Sequence, residues 1–187
     1  MRQRFEFGLV WLLVKLLALL PRSAARKVGA GIGWVAYAAT PRLRRVGLKN
    51  LALAFPESSQ AERETILRGM YRQLGWQLAE FCHMPGYTLE RASQFIRYEG
   101  LDHYLAAKQR RRGVLVLTGH LGAWELSSFY HSLAGYPMGM VIRKLDNPWV
   151  NRLVNEIRTQ HGNRVLPKDD FARGLIAAMR AGETVGV

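Results

Sequence analysis

The spacing of apolar positions changes twice along this chain. Residues 7–20 form an apolar run broken by Lys15, and residues 28–39 form a second one carrying Gly29, Gly31 and Gly33. Between residues 60 and 82 the apolar positions recur every three or four residues. That spacing puts Leu67, Met70, Tyr71, Leu74, Leu78 and Phe81 on one side of a helix. Ser59 and Glu62 precede it with the spacing of a capping box, and His83-Met-Pro85-Gly86 closes it. Beyond that point short apolar runs alternate with amphipathic stretches. Residues 95–98, 114–117, 138–142, 164–166 and 184–187 read as strands, and residues 101–112, 121–133, 148–160 and 169–180 as helices.

This alternation predicts an α/β fold, with a mostly parallel central sheet and flanking helices. A membrane-associated helical segment is expected before it. The boundary is placed at residue 40, with a hairpin over 1–40 and the α/β domain over 41–187. Thr184-Val-Gly-Val187 is followed by no turn, cap or polar tail, so the domain is expected to be incomplete at its C-terminal end.

The first apolar run is shorter than the roughly 20 residues a membrane-crossing helix needs. Each run is followed by cations, Arg22-Ser-Ala-Ala-Arg26-Lys27 and Pro41-Arg-Leu-Arg-Arg45. Two short apolar segments with trailing positive charge predict a hairpin on, or dipping into, the cytoplasmic leaflet. The alternative is a pair of buried helices in a larger core. The glycines of the second run suit close helix packing, not phosphate binding.

Charge sharpens this picture. The net charge is +13, and residues 1–50 hold ten Lys/Arg against one acid, Glu6. The most basic segment is therefore also the most apolar, which suits an anionic membrane surface better than a nucleic acid. Arg110–Arg112 form a second basic run, either a solvated helix end or a docking patch for an acidic carrier protein. Cys82 is the single cysteine; it falls in a predicted helix and reads as a packed core thiol. There is no zinc-ligand spacing, no P-loop and no dinucleotide-binding fingerprint.

The chemistry concentrates in Gly113-Val-Leu-Val-Leu-Thr-Gly-His120-Leu-Gly-Ala-Trp-Glu125. The apolar run delivers His120 to the carboxyl end of a strand, where open α/β sheets place their ligands. Histidine with a nearby carboxylate can take a proton from a hydroxyl. Five helical residues turn through about 500°, so His120 and Glu125 meet only if His120 lies before the helix and reaches over its first turn. Gly119 and Gly122 permit that. A helix starting near Gly122 would also aim its free N–H groups at the same point. On spacing alone a second reading stands beside the dyad: a strand-end histidine and a carboxylate favouring the helix dipole. Arg143 and Lys144 follow the 138–142 strand and would emerge at the same sheet edge if the strands are parallel. Asn147 precedes Pro148 and can cap the next helix. His83, His103, His131 and His161 read as packing or surface residues.

Several segments together resemble one family. They are His120-x-x-x-x-Glu125 after a strand, Gly-Leu-Lys49-Asn50-Leu-Ala-Leu-Ala-Phe-Pro56 before a long helix, and Gly100 before the basic helix end. Arg143-Lys-Leu-Asp-Asn147-Pro148, followed by a helix and Gly162, completes the set. The chain resembles the lysophospholipid-type acyltransferase superfamily, and within it the lipid A biosynthesis (lauroyl-type) acyltransferases of Gram-negative bacteria. Glutamate, rather than aspartate, at position 125 favours that branch.

The resemblance implies a membrane-associated O-acyltransferase that moves a fatty acyl chain from a thioester to a hydroxyl of a lipid A-type glycolipid. His120 would be the base and Glu125 its partner, with Arg143, Lys144, Gly122 and Asn147 binding substrate. No cofactor or metal is implied; acyl carrier protein or coenzyme A supplies the acyl group as co-substrate. The implied place is the bacterial inner membrane, with the catalytic domain facing the cytoplasm and no nucleic-acid partner. Two alternatives stay open. One is acylation of a phospholipid or phosphatidylinositol mannoside, the other a non-catalytic basic membrane-surface protein. Motifs that shape the acceptor site and acyl pocket in this family follow a strand like that at 184–187, and a complete protein of roughly 300 residues is implied, one domain on size grounds.

Overall fold

The computed structural model describes residues 1–168 and 171–187. Residues 15–83 form one compact unit, and residues 1–14 together with 84–187 form another.

The first unit is helical. It takes the end of α1 (Arg2–Leu19), then α2 (Arg22–Ala39), α3 (Pro41–Ala54) and α4 (Gln60–His83). Pro21 separates α1 from α2, and Pro41 opens α3, where its missing N–H costs nothing. The pattern of apolar residues does not announce α3, because its Leu43, Val46 and Leu53 are exposed. The capping box is present: the Ser59 backbone N–H donates to Glu62 at 2.7 Å, and the Glu62 N–H to the Ser59 hydroxyl at 3.3 Å.

α2 packs on α4 through glycine, as the sequence suggests for Gly29 and Gly33. A Cβ on Gly29 would lie 2.2 Å from the Gly75 carbonyl oxygen, and one on Gly33 2.2 Å from that of Tyr71. Gly31 faces open space. On α4 the buried stripe is Leu67, Tyr71, Gly75 and Ala79, whereas Met70 and Leu74 are exposed. Leu67 and Tyr71 of the expected face are buried, and Met70 and Leu74 turn outward. Small residues let the helix axes approach, and Met70 and Leu74 are left outside the contact. Cys82 is buried, and its thiol is pushed up to about 11 by that burial.

The second unit holds the sheet. Its strands are β1 (Val114–Val116), β2 (Gly139–Ile142), β3 (Arg164–Pro167) and β4 (Thr184–Gly186), in the order β1-β4-β2-β3. Every pairing is parallel, as expected. Between them run α7 (Trp124–Leu133), α8 (Pro148–Thr159) and α9 (Phe171–Arg180). Right-handed crossovers put α7 and α8 on one face and α9, which reverses direction, on the other. The core is built by Leu126 and Phe129 of α7, Met140 of β2, Ile157 of α8, Ala178 of α9 and Val185 of β4. Before the sheet come α5 (Leu89–Ser93) and α6 (Leu101–Gln109).

Three expectations are corrected. Residues 95–98 form no strand: the Phe95 and Ile96 N–H groups turn back onto the Ala92 carbonyl, and Phe95 packs its ring on Tyr87. The helix after β1 starts at Trp124, not Leu121, because Gly122 adopts φ +55°, a left-handed conformation that breaks the helix there. α6 stops at Gln109, short of Arg110–Arg112. Asp169 and Asp170, the expected start of the last helix, lie outside the described residues. Among the described residues no helix is long and apolar enough to cross a membrane.

Candidate active site

β1 ends at Val116, and the chain runs through Thr118, Gly119 and His120 before α7 begins. The Thr118 N–H donates to the Val187 carbonyl at 2.8 Å, which holds the start of this loop on β4. His120 thus precedes the helix, the one condition that lets it meet a group on the first turn. β2 runs parallel, so Arg143 leaves the sheet at the same edge. β4 lies between β1 and β2, which puts them about 10 Å apart at two ladder spacings.

A cavity of about 730 Å³ opens at this edge and extends along α7. His120, Glu125, Arg143 and Arg158 lie on its wall. From α7 it takes Trp124, Ser127, Ser128 and His131, one helical face at spacings of three and four. From the sheet it takes Val116, Met140, Ile142 and Gly186, which make that side apolar. The expected substrate-binding positions separate here. Arg143 lines the cavity, while Gly122, Lys144 and Asn147 are not part of its lining.

The side chains show how each position is held. The Glu125 carboxylate is gripped by Arg158, whose Nε donates to Oε2 at 2.9 Å while its second guanidinium nitrogen donates to Oε1. Both groups are largely buried, with side-chain exposures of 15% for Arg158 and 21% for Glu125. The His120 ring packs edge-on against Trp124, with centroids 4.9 Å apart, and no hydrogen bond joins it to Glu125 among the described contacts. His120 and Glu125 therefore share the cavity wall with no hydrogen bond between them among the described residues. Arg143 reaches Asp146 at 3.6 Å in a solvent-exposed pair. Asn147 is wholly engaged in structure. Its Oδ1 caps α8 by accepting from the Trp149 and Val150 N–H groups, and its Nδ2 donates to the Gln3 carbonyl and the Glu6 carboxylate. The capping use expected of it is present.

α7 opens without a side-chain cap, and its ladder begins with the Ser127 N–H on the Ala123 carbonyl. The N–H groups of Trp124, Glu125 and Leu126 therefore have no intrahelical acceptor. At the far end of the cavity His131 sits among tyrosines. Its Nδ1 lies 2.8 Å from the Tyr98 hydroxyl, and its ring packs against Tyr104 and Tyr136. Burial lowers the His131 pKa and, with the surrounding tyrosines, pushes the Tyr98 phenol up to about 12.

Over residues 1–187 the chain matches the family described as bacterial lipid A biosynthesis acyltransferase. The chain belongs to this family. Curated relatives agree. The lipid A biosynthesis palmitoleoyltransferase of Escherichia coli K12 is 30% identical over 184 residues, which is 97% of this chain and 57% of that protein. A lipid A biosynthesis acyltransferase of Haemophilus influenzae is 32% identical over 189 residues, covering 96% of this chain and 58% of that protein. The lauroyltransferase of E. coli K12 is 27% identical over 178 residues, 95% of this chain and 56% of that protein. The chain spans a little over half the length of these relatives.

In this lipid A acyltransferase family member, sequence reasoning missed Arg158. A signal for it exists. Val150, Val154 and Arg158 fall at successive spacings of four on α8, so a cation continues an apolar stripe. A charge in that register must find a partner, and Glu125 is the one it finds.

Proposed function

We propose that the complete protein transfers a fatty acyl chain from a thioester, on acyl carrier protein or coenzyme A, to a hydroxyl of a lipid A-type glycolipid. The observation that carries this reading is His120 on the cavity wall at the carboxyl end of β1, facing the same space as Glu125 and Arg143.

In this reading His120 takes the proton of the acceptor hydroxyl. The hydroxyl oxygen bonds to the thioester carbonyl carbon, a tetrahedral oxyanion forms and collapses, and the carbon–sulfur bond breaks. The departing thiolate recovers the proton from His120. Glu125, fixed by Arg158, opposes the positive charge that His120 carries between those steps. The free N–H groups of Trp124 to Leu126, with Arg143, are the donors at hand for the oxyanion. The apolar sheet side of the cavity suits an acyl chain. α1 exposes Phe5, Leu9, Trp11 and Leu12, which suits shallow burial in the cytoplasmic face of the inner membrane.

The test is His120→Ala in the whole protein, with mass spectrometry of the lipids formed. Activity is expected to fall roughly 10²–10⁴-fold, the usual contribution of a positioned base. Acyl transfer at the parent rate would remove His120 from the mechanism.

A further inference from the structure

Four arginines converge on two aromatic rings along the contact between α2 and α4. The Arg26 guanidinium lies 4.7 Å from the centre of the Trp76 ring, and that of Arg72 lies 5.1 Å from the same ring. One helical stretch away, Arg44 lies 4.8 Å and Arg68 5.8 Å from the centre of the Tyr37 ring. The Arg68 Nε also donates to the Tyr37 hydroxyl at 3.4 Å. The arrangement follows from the packing. Arg68, Arg72 and Trp76 stand at successive spacings of four on α4, and Arg26 and Tyr37 lie three turns apart on α2. Glycine contact merges the two rows, and one helical turn of about 5.4 Å sets the pitch of the cations.

We propose that this row of arginines along the α2–α4 seam binds the phosphates of anionic lipid headgroups. The proposal extends the membrane association suggested above from the apolar surface of α1 to a defined headgroup site. Charge is the first argument. Glu64 meets Arg68 at 3.5 Å, and Glu80 meets Arg26 at 3.8 Å while being held more closely by Arg22. Among the described residues Arg44 and Arg72 meet no carboxylate, and the Arg44 Nε is buried without a hydrogen-bond partner. One guanidinium on a ring is satisfied by the ring. A second on the same ring also meets the repulsion of the first, which a bridging phosphate removes through charge-assisted hydrogen bonds.

The surroundings choose among anions. Trp34 is 70% exposed and lies three residues before Tyr37, so it neighbours that ring on the surface of α2. Leu43 and Val46 are exposed on the helix that carries Arg44. An exposed indole and aliphatic side chains beside cations match the water–lipid boundary, not a nucleic acid or a soluble polyanion. The lowered pKa of Tyr37, caused first by its hydrogen bond from Arg68, reflects the same excess of positive charge.

The experiment measures binding of the whole chain to phosphatidylcholine vesicles and to vesicles that also contain phosphatidylglycerol. Arg44→Gln with Arg72→Gln is expected to weaken binding to the mixed vesicles about 30-fold, from about fivefold per cation, and to leave binding to neutral vesicles unchanged. Arg110→Gln with Arg112→Gln removes equal charge elsewhere and is expected to have little effect. Equal losses in the two variants, or full binding by the first, would overturn the site. The Arg44→Lys, Arg72→Lys variant keeps the charge and is expected to keep most of the affinity. If it binds as weakly as the glutamine variant while circular dichroism shows parent helix content, headgroup charge is not what the seam recognises. Inorganic phosphate that displaces the protein from mixed vesicles at matched ionic strength would make this a free-anion site and overturn the lipid assignment. Neutral vesicles separate the two readings. If the parent ignores them but binds mixed vesicles through the seam, the apolar anchoring by α1 fails and the seam stands.

Discussion

The α2–α4 seam and the cavity beside α7 handle space in opposite ways. At the seam Gly29, Gly33 and Gly75 bring backbone against backbone, and a single added methyl has nowhere to go. At the cavity the chain leaves about 730 Å³ open, and the loop that carries His120 has almost nothing packed on its glycines. Stability in the first region comes from excluding volume. The second keeps volume free, with its walls held by specific polar contacts instead of dense packing. The Glu125–Arg158 pair is such a contact.

The seam makes the larger prediction. Gly75→Ala places a Cβ 1.9 Å from the Gly29 carbonyl oxygen, so the helices must separate. The expected loss is about 3 kcal/mol, at the upper end for overpacking. Gly31→Ala on the same helix pair meets nothing within 4 Å and should gain up to about 1 kcal/mol from helix propensity. At about 2–4 °C per kcal/mol for a chain of this size, the two melting temperatures should separate by roughly 10 °C. Coincident melting of the two variants would show that backbone contact does not hold the seam.

At the cavity the largest effect should come from Arg158. Arg158→Met leaves the Glu125 carboxylate largely buried and unpaired, at an expected cost of about 2 kcal/mol. Arg158→Lys should recover less than half of that, because one ammonium cannot reproduce the two parallel hydrogen bonds of the fork. Urea unfolding of both variants checks this. Should Arg158→Met unfold like the parent, the pair would be no stronger than the solvated Arg143–Asp146 pair, for which about 0–1 kcal/mol is usual.

These contrasts also mark what the sequence discloses. The alternation of strands and helices is legible, and four of five strands fall within a residue or two of their expected bounds, because local apolar spacing sets them. Residues 95–98 misled because Phe95 and Tyr98 use the same apolar character to pack on Tyr87 and Tyr130. The place of β4 between β1 and β2 depends on contacts far apart in sequence, which no local pattern encodes. In the same way, the strand-end position of His120 is legible and the grip of Arg158 on Glu125, 33 residues away, is not. On α4 the expected Leu67 and Tyr71 are buried, but Gly75 and Ala79 complete the stripe where Met70 and Leu74 were expected.

His131, enclosed by tyrosine rings at the far end of the cavity, makes the smallest prediction. Tyr98, Tyr104 and Tyr136 surround its ring, and no carboxylate among the described residues stands by its buried Nε2. Burial therefore disfavours the imidazolium and holds the His131 pKa below its ordinary value of 6.5. The unfolded chain keeps a value near 6.5, so on acidification it takes up the proton first. Above about pH 7 the residue is neutral in both states and costs nothing. As pH falls below about 6.5 the unfolded state binds more protons than the folded one, and stability declines until the folded residue also protonates. The midpoint of urea unfolding should then drop between pH 7 and pH 5. His131→Gln should lower stability at every pH through loss of the Tyr98 hydrogen bond, yet flatten that slope. An unchanged slope in the variant would place the acid sensitivity elsewhere and leave the tyrosine cage as packing alone.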